Sequence, residues 1–288
     1  MIMASMRDIQ RRKVSVESTG QITKAMKLVS TVKLQKARSR AESSKAYFNG
    51  MYDVVTSVLA RSGNINHRFL KNHPDKKKAV IVITSNRGLA GGYNSNIVKL
   101  LTKDEAFTKD DVVLYTIGRK GKDALSSKGY EIKEDFSDVI EEPLFTDAMT
   151  ICNSVLKAFE DGEIGEIYLA YTVFKNTVSH IPTMKKLLPV STEDYELSEE
   201  EKKVPMNYEP SEEEVLDMII PKYISSLIYG ALVEAVASEN GARMAAMDSA
   251  TNNAEEMIAD LSLLYNRARQ SSITQELTEI IAGAEAIG

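Results

Sequence analysis

Cysteine, tryptophan and histidine are scarce in this chain, which has one cysteine, no tryptophan and 3 histidines among 288 residues. A lone cysteine excludes an internal disulfide, and Cys152 stands in the apolar context MTICNSVL. His67, His73 and His180 are scattered, without the spacing of metal ligands. We therefore expect a cytosolic chain with no metal site, no bound cofactor and no thiol switch of its own.

Long apolar runs and aromatic residues are also missing. No run approaches the ~18 apolar residues of a membrane span, and the N-terminus MIMASMRDIQRRK lacks the apolar centre of a signal peptide. We expect no direct membrane insertion, so any membrane association would go through a partner. Aromatics make up only 7% of the chain. That share suits Ala-rich and Leu-rich helices better than an aromatic-lined pocket.

Proline is absent from both ends of the chain, with none before Pro74 and none after Pro221. A helix of ~50 residues spans ~75 Å, which exceeds the width of an ordinary domain. A helix of that length needs a partner along much of its course. The two proline-free ends are therefore expected to pair as long antiparallel helices, the alternative being two core helices of an ordinary α/β protein.

Both ends carry core positions at steps of 3 and 4 residues, the period of a left-handed coiled coil. Small residues are frequent in this pattern, and they let two helix axes approach closely. The predicted C-terminal seam is Met247, Ala250, Ala254, Met257, Leu261, Leu264, Ala268 and Ser271, and the predicted N-terminal seam is Ile22, Ala25, Val29 and Val32.

The middle of the chain changes period. Short apolar runs at 79–83, 112–117 and 164–174 alternate with helix-like segments, and 178–188 is a further candidate strand. Apolar strands that alternate with helices indicate a mainly parallel sheet covered on both faces. The predicted fold class is α/β, with a long antiparallel coiled coil of the terminal helices and a central Rossmann-like α/β domain. The predicted parts are 1–60 for the N-terminal helix, 61–211 for the central domain with its polar connections and 212–288 for the C-terminal helix.

Charge is distributed unevenly along the chain. Met1 to Lys45 contains 11 Lys and Arg against 3 Asp and Glu, whereas Val190 to Asp217 contains 2 Lys against 11 Asp and Glu. Such asymmetry indicates different partners at different places. A basic helix could follow the phosphate backbone of a nucleic acid, but no aromatic residue interleaves before Tyr47 for base stacking. Contact with an acidic protein surface is the alternative use of the same charge.

The glycine-rich sequence RGLAGGYN follows a strand and precedes a helix, where phosphate is bound in many α/β folds. It matches neither G-x-G-x-x-G nor G-x-x-x-x-G-K-[ST], and no Lys-Ser/Thr pair follows it. A nucleotide-binding enzyme that uses this loop is one alternative function. The structural alternative is a tight turn with positive φ.

Three motifs occur in order along the chain: QITKAMKLV, TSNRGLAGGYN and YNRARQSSITQELTEIIAGA. Together they closely resemble the γ subunit of bacterial F-type ATP synthases over essentially the whole chain. The resemblance implies a central-stalk rotor without catalytic residues, which transmits torque between a membrane c-ring and the catalytic α/β hexamer and so couples ion flow to ATP synthesis or hydrolysis. The implied partners are three α and three β subunits, the ε subunit and the c-ring, with no nucleic acid. The implied location is peripheral, at the cytoplasmic face of the cell membrane.

The resemblance also implies which residues touch these partners. The positions that match contacts with the α/β ring are Met26, Arg243, Arg269, Gln270, Thr274, Glu276, Thr278 and Glu279. Tyr208 and Glu209 match the contact with the c-ring. The alternative for each of these residues is a solvated helix face. Ala90 stands where the family often has Cys, a packing change, and the regulatory cysteine insertion of chloroplast γ chains is missing.

Overall fold

The computed structural model of the protein describes residues 6–61, 67–71, 73–177, 179–190, 209 and 211–285. Five α-helices lie in these ranges: α1 (Met6–Arg61), α2 (Tyr93–Thr102), α3 (Arg119–Ser126), α4 (Phe145–Glu160) and α5 (Glu212–Glu285). The strands are β1 (Lys77–Ile83), β2 (Val112–Ile117), β3 (Glu131–Asp135), β4 (Ile164–Phe174) and β5 (His180–Leu188). Short 3₁₀ helices cover Arg68–Leu70 and Ser137–Glu141.

The strands form one sheet in the order β3-β2-β1-β4-β5. The first four are parallel, and β5 pairs antiparallel with β4. Both faces of the central strands are covered, which explains their continuous apolar runs. Residues of α2 and α3 pack on one face, and residues of α4 and α5 pack on the other. The predicted central α/β domain and the predicted long terminal helices are both confirmed.

Two features of this domain were missed in the sequence. Strand β3, EIKED, is an exposed edge strand in which charged residues predominate, so it carries no apolar signal. The segment after α1 was predicted to be a polar connection, yet the side chains of His67 and Phe69 are buried. The His67 ring accepts a hydrogen bond from the Phe69 N–H at 3.3 Å and meets Asp217 of α5 at 3.0 Å.

Helix α5 contains an 18-residue window with a mean hydropathy of 1.3. By length and composition only, it is long and apolar enough to cross a membrane. The direct reading of apolar runs in the sequence did not identify it. About half of this window (56%) is buried inside the protein. Residues such as Leu216, Ile220 and Ile224 pack into the core beside the sheet, which accounts for the apolar composition.

The contacts within the chain define two compact units. One comprises Met1–Ser30 with Met244–Gly288, and the other comprises Thr31–Arg243, which includes the sheet. The predicted three-part division follows the ends of the long helices, whereas the compact units divide each long helix between them.

In the first unit, α1 and α5 pair antiparallel. The hydroxyls of Thr23 and Thr251 lie 2.8 Å apart, and Lys27 Nζ donates to Asp248 Oδ1 at 2.5 Å. A Cβ added at Gly20 would lie 3.4 Å from the Cβ of Ala254. As the residue number increases along α1, the number of the α5 residue in contact with it decreases, as an antiparallel pair requires.

The predicted register of the N-terminal seam is wrong. Ile22, Ala25, Val29 and Val32 are exposed, whereas Thr23 and Ser30 are buried. The close approach at Gly20 explains the difference, because a narrow seam at this level accommodates small and hydroxylated side chains better than large apolar ones. The apolar residues of this stretch consequently form an outer face.

The C-terminal seam is half correct. Met247 and Ala254 are buried and Leu261 and Ala268 are partly buried, as predicted. The intervening positions lie one residue further on, at Thr251, Ile258, Tyr265 and Ser272 instead of Ala250, Met257, Leu264 and Ser271. At each of these steps the next residue can also fill a seam, so the pattern alone allows both registers.

A matched pair of substitutions tests the register of this seam. Ala254→Leu inserts bulk against Gly20 and is expected to lower the free energy of unfolding by about 1–3 kcal/mol. Ala25→Leu places the same bulk on the exposed face and is expected to change it by less than about 0.5 kcal/mol. Urea denaturation followed by circular dichroism measures both. Equal destabilisation by the two substitutions would contradict the observed register.

The single thiol is expected to be inert in the folded chain. Cys152 is fully buried in α4, and burial raises its pKa to about 11. At pH 8 the thiolate fraction is then on the order of one in a thousand, and only the thiolate reacts. Ellman's reagent should modify the native chain at least ~100-fold more slowly than the chain in urea. Comparable rates in both states would show that the thiol is accessible.

Candidate functional site: an interaction surface and a glycine-rich loop

The C-terminal end of α5 presents a polar array to solvent. The six predicted contact residues of this stretch are all exposed: Arg269, Gln270, Thr274, Glu276, Thr278 and Glu279. The threonine hydroxyls donate back to carbonyls of their own helix, Thr274 to Gln270 O at 2.9 Å and Thr278 to Thr274 O at 2.8 Å. Each hydroxyl oxygen keeps acceptor capacity for an outside donor.

An apolar stripe runs along the same end of α5. Ile273, Leu277, Ile280 and Ile281 follow one another at helical spacing, and each is about half exposed or more. The pairing of Gly20 with Ala254 places Met6, 14 residues before Gly20, opposite Ala268, 14 residues after Ala254. The stripe therefore begins past the first described residue of α1. Apolar surface that is left open on a helix indicates a protein partner.

The N-terminal motif lies on the partner helix. Met26 is partly buried and Lys24 is exposed, while the Lys27 ammonium pairs with Asp248. The outer face of this helix carries Ile22 and Val29, both more than half exposed. The motif thus brings an apolar outer face and an exposed basic residue together, which the predicted seam did not indicate.

The predicted contact residues Arg243, Tyr208 and Glu209 lie outside the N-terminal motif and outside the C-terminal end of α5. Arg243 is buried, in the central unit, where its Nη2 donates to Glu239 Oε1 at 2.6 Å and to Gly88 O at 3.3 Å. Sequence reasoning gave no sign that this arginine is internal. Glu209 is an exposed bend residue, and Tyr208 lies outside the described residues.

The glycine-rich loop follows β1 at the carboxyl edge of the sheet, where open α/β sheets bind ligands. Its polar groups bind one another. Asn94 Oδ1 accepts the Ser85 N–H at 2.9 Å, and Ser85 Oγ donates to Arg87 O at 2.6 Å. The loop therefore closes on itself through Ser85 and Asn94.

The neighbouring N-terminus of α3 is also occupied by protein groups. The backbone N–H groups of Arg119, Lys120 and Gly121 donate to Asn86 Oδ1, Ser85 O and Thr84 Oγ1 at 2.9–3.0 Å. These are the donors that a phosphate would need at a helix N-terminus. The geometry thus favours the tight-turn interpretation over the nucleotide-binding one.

Positive φ angles occur in this turn as predicted. Leu89 has φ +62° and Gly91 has φ +56°, both in the left-handed region. Gly118, at the entry to α3, has φ +98°, and a Cβ added there would lie 2.1 Å from Thr84 O. Glycine at 118 therefore permits β1 and α3 to approach closely.

Electrostatics do not indicate a catalytic centre in the described residues. Burial raises the pKa of Glu239 and of Tyr93, and the positive charge of Arg243 lowers both. The net upward pKa shifts of both groups thus reflect burial in the core, which the positive charge of Arg243 offsets only in part. Within the described ranges, no three His, Cys, Asp or Glu side chains are grouped so as to hold a metal ion.

Part of the basic charge of α1 is neutralised within the central unit. Glu142 Oε1 accepts hydrogen bonds from Lys36 Nζ at 2.8 Å and from Arg40 Nη2 at 2.7 Å. Lys33 lies 3.7 Å from Glu141. This arrangement weakens the nucleic-acid hypothesis, because these cations already have carboxylate partners.

A family model described as ATP synthase matches residues 5–287. The ATP synthase gamma chain of Lachnoclostridium phytofermentans is 66% identical over 99% of this chain and 100% of its own length. The sodium ion specific gamma chain of Acetobacterium woodii is 42% identical over 98% of this chain and 99% of its own. The structure also resembles a Tetrahymena thermophila chain from a mitochondrial ATP synthase central stalk and c-ring. That likeness has a TM-score of 0.60 and 26% identity, over 80% of this chain and 99% of the other.

These matches define a subunit of an ATP synthase. Since curated relatives with matching full length are gamma chains, the chain belongs to the ATP synthase gamma chain family. A Euglena gracilis mitochondrial ATP synthase chain confirms the fold, with a TM-score of 0.69 at 19% identity over 98% of this chain and 94% of the other. The resemblance seen in the three sequence motifs is thereby confirmed.

Two glycines with positive φ provide a matched test of the turn into α3. Gly118→Ala combines backbone strain with the close approach to Thr84 O and should lower the free energy of unfolding by at least about 3 kcal/mol. Gly129 has φ +87° but ample space around an added Cβ. Gly129→Ala should therefore cost only about 1 kcal/mol of strain. Denaturant titration of both variants checks this, and an equal loss would argue against a close contact at Gly118.

Proposed function

We propose that this chain is the rotor of a bacterial F-type ATP synthase central stalk and transmits torque between a membrane c-ring and a catalytic ring of three α and three β subunits. The observation that carries the proposal is the end of α5, where an exposed apolar stripe lies beside an exposed polar array. A helix end of this kind is costly in water unless a partner encloses it. The family membership supplies the identity of the enclosing partner.

The two surfaces of α5 suit different tasks within such a ring. The apolar stripe of Ile273, Leu277 and Ile280 offers non-directional contact, which allows one helix to turn against several subunits. Arg269 and Gln270 offer directional hydrogen bonds, which form only when a partner loop is suitably placed. Contact that differs between rotational positions is what couples a shaft to the conformations of the ring.

The remaining proposed contacts lie on other parts of the chain. Met26, beside the exposed Lys24, is proposed to meet an acidic segment of the β subunits through the outer face of α1. Tyr208 and Glu209 are proposed to meet the polar loops of the c-ring, in company with the ε subunit. The catalytic sites are proposed to lie on the β subunits, which leaves this chain without a catalytic role. The complex is proposed to stand on the cytoplasmic face of the cell membrane.

Reassembly with cognate α and β subunits tests this proposal. Size-exclusion chromatography should show one large complex, and steady ATP hydrolysis by this complex should require the chain. A chain that elutes alone and leaves the hydrolysis rate of α and β unchanged would refute the assignment. The alternative of a free nucleotide-binding enzyme predicts saturable ATP binding by the isolated chain instead.

A paired arginine substitution examines the polar array. Arg269→Ala removes a charged donor from the proposed contact, and such hydrogen bonds contribute about 1.5–3 kcal/mol. We expect ATP hydrolysis by the reassembled ring to fall about tenfold or more. Arg267, also exposed, lies two residues away on another side of α5. Arg267→Ala should keep most of the activity, and similar losses in both variants would argue against a specific contact at Arg269.

A further inference from the structure

Arg243 belongs to the sequence that resembles a family contact site, yet its side chain is only 11% exposed. It forms an ion pair with Glu239, one helical turn earlier in α5, and its Nη2 also donates to the carbonyl of Gly88. Gly88 lies in the glycine-rich loop that follows β1. One buried guanidinium therefore joins α5 to this loop.

The loop needs such a connection because its conformation is unfavourable for the residues that form it. Leu89 adopts φ +62° although it is not glycine, and its side chain is exposed. Left-handed backbone at a leucine is costly unless surrounding contacts hold it. The carbonyl that Arg243 binds belongs to the residue directly before Leu89.

Further charges surround this point, and we refer to Lys33, Arg87, Glu141, Glu239 and Arg243 as the junction cluster. Glu141 lies between Lys33 of α1 and Arg87 of the loop, with nitrogen–oxygen distances of 3.7 and 3.9 Å. Burial and the negative charge of Glu141 raise the pKa of Glu239, with burial the larger cause. The positive charges of Arg243 and Lys33 lower it. The cluster therefore brings both long helices and the loop into one electrostatic network.

The place of this network in the chain is informative. The central unit comprises Thr31–Arg243, so α1 enters this unit two residues before Lys33 and α5 leaves it at Arg243. A twisting load carried by either helix must pass these residues to reach the sheet domain. Buried and networked polar contacts resist such a load better than isolated surface ion pairs.

We propose that Arg243 is a positioning residue: together with Glu239 it fixes the glycine-rich loop to α5, so that load on the helix passes into the central domain through Gly88. The side chain acts on coupling from inside the subunit, without touching the α/β ring. This inference rests on the proposed rotor function, and it replaces the direct contact that the resemblance implies for Arg243.

Three variants separate the parts of this proposal. Arg243→Met removes the hydrogen bonds and leaves Glu239 without its cation. The double variant Glu239→Met, Arg243→Met removes the whole pair, and such apolar replacement of a buried pair commonly preserves folding. Arg243→Lys keeps the charge and a donor, so it serves as the conservative rescue. Arg267→Ala is the control on an exposed part of the same helix.

Two measurements are made on each variant. Hydrogen exchange with mass spectrometry on the full chain follows the loop peptide 86–93. In the complete ATP synthase, reconstituted in vesicles, the number of ions pumped per ATP hydrolysed gives the coupling. We expect Arg243→Met and the double variant to speed exchange in the loop at least tenfold and to lower the pumping ratio at least twofold. Arg243→Lys should restore most of both, and Arg267→Ala should change neither.

Other outcomes overturn the inference. Unchanged loop exchange in the double variant would show that the pair does not fix the loop. A lower pumping ratio without faster exchange would assign Arg243 to direct contact with another subunit, and faster exchange with an unchanged ratio would remove the loop from the load path. The proposed rotor function fails separately, if the wild-type chain does not assemble with α and β subunits or does not alter their ATP hydrolysis.

Discussion

The close approach of two helix axes is the constraint on which the rest of this structure depends. Gly20 faces Ala254 with room for little more than a methyl group, and the next buried level is a pair of threonine hydroxyls, Thr23 and Thr251, 2.8 Å apart. At this level the seam is too narrow for large apolar side chains. Isoleucine and valine residues are therefore placed on the outside of α1, where a monomeric protein would not be expected to keep them.

This placement connects packing to function. In an ordinary coiled coil the large apolar residues lie inside and the surface is polar. Here small and hydroxylated residues hold the helices together, and much of the apolar surface remains available to partners. The same distribution continues at the end of α5, where the apolar stripe and the polar array share one helix. For the proposed rotor, this surface offers both non-directional and directional contacts to the surrounding ring.

The central domain illustrates a different use of a familiar architecture. Its sheet order, its loop after β1 and the start of α3 provide the elements of a nucleotide site, yet the donors of that site bind Asn86, Ser85 and Thr84. The positive φ angles and Gly118 then permit a compact turn rather than approach of a phosphate. Fold alone would have suggested a nucleotide site here, whereas the satisfied hydrogen bonds favour a tight turn at this place.

How much of this could be predicted from the sequence depends on the kind of signal. The strands at 112–117 and 164–174 were predicted with the bounds that the structure shows, because a buried parallel strand is a continuous apolar run. Strand β3 was missed because its residues are mostly charged. The seam was displaced by one residue because Ala250 and Thr251 suit a seam equally well until the partner helix is known. The buried state of Arg243 could not be predicted, since it depends on a loop more than 150 residues away in the chain.

Direct observation of rotation tests the central claim most directly. With the ring of α and β subunits fixed to a surface and a bead attached through a cysteine introduced on the exposed surface of the central α/β domain, ATP should drive the bead in one direction, with three pauses per turn. The Cys152 thiol is buried and should not compete for the attachment. A bead that only fluctuates without net direction, while the same assembled complexes hydrolyse ATP at a rate dependent on the chain, would contradict the rotor account.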